Sequence, residues 1–170
     1  MLIHTTVNAL SLDNINAHAP YRVTTDVEHP YLYYFCTDFG VEYEISIKGN
    51  DTFVPSGAFS LDIRNKSNQP SPGDPKFRQT LMAIVEEFFR QNNDVMLYVT
   101  ETRDHKQASR NRLFVRWFNA YEHSNRYVIK TAEGKMDGQT NFMAIILRRD
   151  NPRLQLVFEE FDETVAFLFD

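Results

Sequence analysis

Val41, Tyr43, Ile45 and Ile47 alternate with Glu42, Glu44 and Ser46. That period of two is what a strand needs to bury one face and wet the other. Farther along, Phe77, Leu81, Ile84, Val85, Phe88 and Phe89 recur at the spacing of one broad helix face. The switch from period two to period 3.6 separates a β-rich first part from a mixed second part. Strands followed by mixed units predict an α+β fold with a largely antiparallel sheet and helices packed mainly on one face.

Local signals place the remaining elements. Residues 31–37 are dominated by aromatics, which suit a pleated, half-buried surface, and Asp38-Phe39-Gly40 supplies a turn. Another strand is expected at 57–63, and the polar segment 65–74 (NKSNQPSPGD) reads as an internal loop. Asp74-Pro75 then starts a helix, because the carboxylate can accept an orphan N–H and proline at the first position loses no needed donor. Its stop is expected near Asn92-Asn93. The continuously apolar run 95–99 predicts a strand interior to a sheet. Asp104, with Gln107 three residues on, has the spacing of a capping box for the next helix. Two strands at 126–131 and 142–147 and a C-terminal helix opened by Asn151-Pro152 complete the order ββββαβαββα. An extra strand is open at residues 2–7, and 8–20 reads as a loop, so that 1–20 forms an irregular N-terminal extension. The 170 residues fit a single domain, 1–170, large enough for a real core.

Charge bounds the function classes. The formal charge is −5, yet residues 103–130 hold seven Lys or Arg against Asp104 and Glu122, so the rest of the chain is strongly acidic. An acidic whole disfavours generic nucleic-acid coating, while one basic segment suits a local anionic partner. The single cysteine, Cys36, excludes an intramolecular disulfide and a multi-cysteine zinc site. Among Tyr33, Tyr34 and Phe35 it reads as a small buried hydrophobe. The first residues show no secretory pattern, and no run approaches the roughly 18 to 20 apolar residues of a membrane span. The expectation is a cytoplasmic protein with no membrane segment.

The candidate site lies where the apolar strand empties into a charged loop and a basic aromatic helix, 104–121. The loop holds Glu101, Arg103, Asp104, His105 and Lys106 at a strand end and a helix start, where backbone N–H groups favour anions. Glu101 or Asp104 with His105 could serve acid–base chemistry; in the plainer reading Asp104 caps the helix and His105 and Lys106 are solvated. On a helical wheel Arg110 falls between Trp117 and Tyr121. There its guanidinium must find a carboxylate, carbonyls or a bound anion, since an unpaired buried charge is costly. Arg112 and Arg116, one turn apart on the opposite side, face solvent and could meet phosphates or an acidic partner.

His4, His18, His29 and His123 show no metal-ligand spacing, so no metal is expected, and no cofactor motif is present: no Walker loop, dinucleotide-binding glycine series or Gly-x-Ser-x-Gly elbow. The segments YFCTDFGVEYEI (34–45), TETRDHKQASRNRLFVRWF (100–118) and ILRRDNP (146–152) resemble a small bacterial family of standalone proteins of unknown function, with a strand, a charged loop and an RNRLFxRWF-type helix. The resemblance implies a bacterial cytosolic protein and carries over no catalytic residues. Three readings follow, in order. The first is a non-enzymatic module that binds an acidic protein partner through helix 104–121. The second is a nucleic-acid-binding or processing protein using Arg103, Lys106, Arg112 and Arg116. The third is a small-anion-binding enzyme or sensor with a pocket at the 100–110 loop and Arg110 gripping the anion.

Overall fold

The structure, a computed structural model, describes residues 9–70, 72–101, 107–121, 123–136 and 138–169; at 100, 101, 107–113 and 136 it describes the backbone alone. Among the described residues four α-helices, α1 (Leu12–His18), α2 (Pro75–Gln91), α3 (Gln107–Ala120) and α4 (Leu154–Leu168), accompany seven strands. These are β1 (Thr24–Thr25), β2 (Leu32–Cys36), β3 (Glu42–Gly49), β4 (Phe59–Asn65), β5 (Met96–Glu101), β6 (Tyr127–Met136) and β7 (Gln139–Arg148). Hydrogen bonding orders the sheet β1-β2-β3-β4-β5-β7-β6. The pairs β1/β2, β2/β3, β5/β7 and β6/β7 are antiparallel and β4/β5 is parallel. This is the expected α+β class with four strands before α2. Among the described residues no helix is long and apolar enough to cross a membrane. The chain forms two compact units, Met1–Lys48 with Leu61–Asn92, and Gly49–Ser60 with Asn93–Asp170.

In the first unit the alternation holds over 41–45 and breaks at Ser46. Val41, Tyr43, Ile45 and Ile47 are buried as expected, and Glu42 is exposed and Glu44 half-buried, but Ser46 is buried too, its Oγ donating to Asp62 Oδ2 at 3.5 Å. Phe35 stands opposite Tyr43 in register, and their rings stack at 5.6 Å. Phe77 of α2 closes on Tyr43 at 4.5 Å, and Tyr21 stacks on Phe35 at 6.1 Å. Such aromatic pairs add about 0.5–1.5 kcal/mol each beyond area burial. α2 begins as expected, Asp74 Oδ1 accepting from the Lys76 N–H at 3.0 Å with Pro75 as the first helical residue. Cys36 corrects the sequence reading. The strand phase that sends Tyr33 and Phe35 inward leaves Cys36 exposed.

Residues 12–18, expected within a loop, form α1 instead. Ser11 caps it, its Oγ accepting from the Asn14 N–H at 3.2 Å, and Ile15 is fully buried. Seven residues are too few for a helix to persist in water unaided. The tie is Glu87 of α2, only 3% exposed. Its carboxylate accepts from Arg90 Nε and Nη2, both at 2.9 Å, and from Gln91 Nε2 at 3.0 Å. It also accepts from the Ser11 N–H at 3.3 Å and from Asn14 Nδ2 at 3.4 Å. A buried carboxylate is tolerated when its lone pairs are filled this way.

The second unit is built on β5. Val95 and Leu97 join Met143, Ile145 and Leu147 of β7 and Val157 and Phe161 of α4 in one apolar cluster. Successive strand residues face opposite ways, so Tyr98 meets α3 on the other face. β6 and β7 form a ten-residue hairpin from Tyr127↔Arg148 to Met136↔Gln139, with Gly138 at φ 76 in its turn. α4 starts later than expected. Asn151 Oδ1 accepts from the Arg153 N–H at 2.8 Å in a turn before the helix, and Arg153 is the N-cap residue. Arg153 then ties that start down, donating from Nη2 to Asp94 Oδ1 at 2.9 Å and from Nη1 to Ser56 Oγ at 2.8 Å.

Phe88 and Phe161 are buried at 0% and 1% exposure. Replacing either by alanine removes a large core side chain and leaves a cavity, and chemical denaturation is expected to show a loss of about 3–5 kcal/mol for each. Losses below about 1 kcal/mol at both positions would mean that the inward faces of α2 and α4 are misassigned.

Candidate functional site

The basic helix owes its position to two aromatic contacts on one side. Phe114 lies flat on Tyr98 of β5, ring centroids 4.2 Å apart with 16° between planes. One turn on, Phe118 meets Tyr127 of β6 edge to face at 5.7 Å. All four rings are buried. Their spacing, 114 and 118, is the i, i+4 stripe that a helix lays against a sheet. Trp117 is half-buried, and Tyr121, just beyond the helix, meets the His123 ring edge to face at 5.5 Å. The opposite side carries Arg116, Asn119 and Ala120, all exposed.

Of the residues expected to form the site, Arg116 is placed in full: it is exposed on α3, and no hydrogen bond or ion pair engages it among the described residues. Glu101 is the last residue of β5, in register with Asn141, whose side chain is buried and donates to Gln139 O at 3.0 Å. Arg110 and Arg112 lie within α3 by their backbones, their side chains outside the described atoms. Arg103, Asp104, His105 and Lys106 lie outside the described residues, so the expected cap at Asp104 does too; α3 itself begins at Gln107.

Several other charged groups are spent within the fold. Lys130 reaches Asp162 at 2.7 Å with its ammonium 4.9 Å from the Phe158 ring centre, and Arg148 pairs with Asp150 at 2.6 Å. At the start of α2, Tyr21 Oη donates to Asp74 Oδ2 at 2.6 Å and Lys76 Nζ meets Asp38 Oδ2 at 2.7 Å. Burial, then the hydrogen bond to Asp74, pushes the Tyr21 phenol above its ordinary value; the hydrogen bond to Asp38 raises Lys76. Each group has its partner, and the cluster reads as a clamp on the helix start. Neither this clamp nor the tie between Glu87 and α1 is legible in the sequence, because the partners lie far apart along the chain. Among the described residues no group of three or more His, Cys, Asp or Glu is placed to hold a metal ion.

The clamp has a pH signature. Tyr21 and Lys76 both hold their protons more tightly when folded than their ordinary values of 10.0 and 10.5. At alkaline pH the folded state therefore binds more protons than the unfolded one, and stability must fall as pH rises. That stabilisation is complete below the ordinary values and is lost as pH climbs through the raised ones. Denaturation midpoints followed from neutral pH upward should decline above about pH 10, and less steeply in Tyr21→Phe than in the parent. An identical alkaline slope in both proteins would remove Tyr21 from the clamp.

A model of a family of unknown function, DUF6169, matches residues 73–163. No curated protein and no solved structure matches the chain. The matched stretch runs from the loop before α2 into α4, taking in the whole of β5, α3 and the β6–β7 hairpin. It spans more than half of the 170 residues, and the chain belongs to the DUF6169 family of unknown function.

Proposed function

We propose that the protein is a non-enzymatic interaction module that binds an acidic protein partner through the basic helix at 104–121. The observation that carries this reading is Arg116. It stands exposed on a helix whose opposite stripe is locked by Phe114 and Phe118, without an ion-pair partner among the described residues. A guanidinium on a pre-docked helix binds at lower entropic cost than one on a loose segment. Arg112 precedes it by one helical turn in the sequence, and 103–130 concentrate basic charge in an otherwise acidic chain. Field complementarity of this kind steers association and favours anionic partners. The lone Cys36 and the segments 34–45, 100–118 and 146–152 support a bacterial, cytoplasmic setting for this module.

Nucleic acid is the second reading. The overall charge of −5 weighs against it, since phosphate backbones repel an acidic surface around the contact. Fluorescence anisotropy with a labelled acidic peptide and a labelled single-stranded oligonucleotide, at low and moderate salt, separates the two. The acidic peptide should bind, and Arg112→Glu with Arg116→Glu should abolish binding while stability stays within about 0.5 kcal/mol of the parent. Equal binding by the double variant would remove the basic helix from the function. Tighter binding of the oligonucleotide, with a steep salt dependence, would replace the protein partner by a nucleic acid.

A further inference from the structure

β6 is an edge strand, and a long one. It runs ten residues and pairs with β7 alone in the strand order, where strands average about 5–6 residues. An edge of that length presents a row of backbone donors and acceptors that can template another strand. Which residues present them can be read from one hydrogen bond. The Arg149 N–H donates to Arg126 O at 2.9 Å, one step before the strand begins. Antiparallel pairing alternates, so Val128, Lys130, Ala132 and Gly134 turn their backbone groups towards β7. Ile129, Thr131, Glu133 and Lys135 turn theirs outward. No other segment takes up those outward groups among the described residues.

The side chains on the outward-turning positions are informative. Thr131, Glu133 and Lys135 are exposed, and neither Glu133 nor Lys135 has an ion-pair partner among the described residues. A negative and a positive charge therefore sit two residues apart on one face of an open edge, with Gly134 between them. Gly134 has no side chain because the Phe169 ring occupies the place where a Cβ would go.

We propose that this edge is a self-association site: a second copy of the chain pairs antiparallel with β6 about a two-fold axis at Gly134. In that register Glu133 of each copy faces Lys135 of the other, so the interface contains the same charge pair twice, as an isologous contact requires. Both are outward-turning positions and form hydrogen-bonded pairs across the axis. Gly134 meets its own copy in a non-hydrogen-bonded pair, where Cα atoms approach to about 4.5 Å and side chains crowd most. The alternatives are poorer. An axis at Glu133 or at Lys135 sets like charges opposite each other, and an axis at Ala132 opposes Glu133 to Thr131 and Lys135 to Ile129, with no charge pair at all. Opposite charges directly across a strand pair are favourable and like charges unfavourable. The contact is small, and its affinity belongs at the weak end, with Kd on the order of 100 µM.

Sedimentation velocity across protein concentration, at low and high salt, tests this on the full chain. The parent should pass from monomer to dimer as concentration rises, more readily at low salt. Glu133→Lys places like charges opposite twice and should weaken the dimer roughly tenfold. Adding Lys135→Glu swaps the pair and should restore it, an outcome that a heterologous contact would not give. Amide exchange at Thr131, Glu133 and Lys135 should slow with concentration and so locate the contact. Because both charged positions are exposed, the variants should melt with the parent. A parent that stays monomeric throughout overturns the proposal. So does a dimer indifferent to Glu133→Lys, or a double variant that associates no better than the single one.

Discussion

The second unit depends on a strand that has no wet side. Val95, Met96, Leu97 and Tyr98 are all buried in succession, so β5 must be covered on both faces and flanked on both edges. Each demand is met by a different element. Leu97 turns into the cluster that α4 supplies with Val157 and Phe161, and Tyr98 turns the other way, under Phe114. At about 25 cal/mol per Å² of apolar surface removed from water, a strand of this composition is worth several kcal/mol when covered and is an aggregation hazard when not. The position of α3 follows from this. The basic helix lies where Tyr98 needs a lid, and its outward residues are exposed because its inward ones answer that need.

What was legible in the sequence was whatever depends on near neighbours. The alternation at 41–47 gave the buried face of β3, and Asp74-Pro75 gave the first turn of α2, because both signals act within a few residues. The helical wheel sets Arg116 on the side opposite Trp117 and Tyr121, facing solvent, and the structure shows Arg116 exposed. What escaped depends on distant partners. α1 is short and polar and is held by a carboxylate more than seventy positions away, as its contacts to Glu87 show. Cys36 has aromatic neighbours that suit a core, but strand phase decides which of them are inside and leaves Cys36 exposed. At Asn151-Pro152 the cap-plus-proline pattern was real, but its hydrogen bond closes a turn one step ahead of α4.

Charge gives the clearest division between structural and available groups. Glu87, Asp74, Lys76, Lys130 and Arg153 each meet a partner within hydrogen-bond reach, and several of these contacts tie together elements far apart in the chain. Removing one member of the buried Glu87 set would leave an uncompensated group, which is costly. Exposed pairs such as Arg148–Asp150 contribute little by themselves. Arg116, Glu133 and Lys135 belong to the other group: each is exposed and has no ion-pair partner among the described residues.

The two proposed contacts would use different physical forces. Attraction to an anionic partner by a basic helix is largely coulombic, so salt weakens it and partner charge sets its rate. Pairing along β6 would draw mainly on backbone hydrogen bonds, with the salt-sensitive Glu133–Lys135 pairs choosing the register. Both surfaces belong to the second unit and meet on β6: Phe118 on Tyr127 helps to fix α3, while the outward groups of the residues that follow Tyr127 form the open edge. A dimer through β6 would present two basic helices related by the two-fold axis. Two weak coulombic contacts on one rigid body bind a multivalent anionic partner far more tightly than either contact alone. Self-association and partner binding would then be linked, each raising the apparent affinity of the other, with no conformational change in either element.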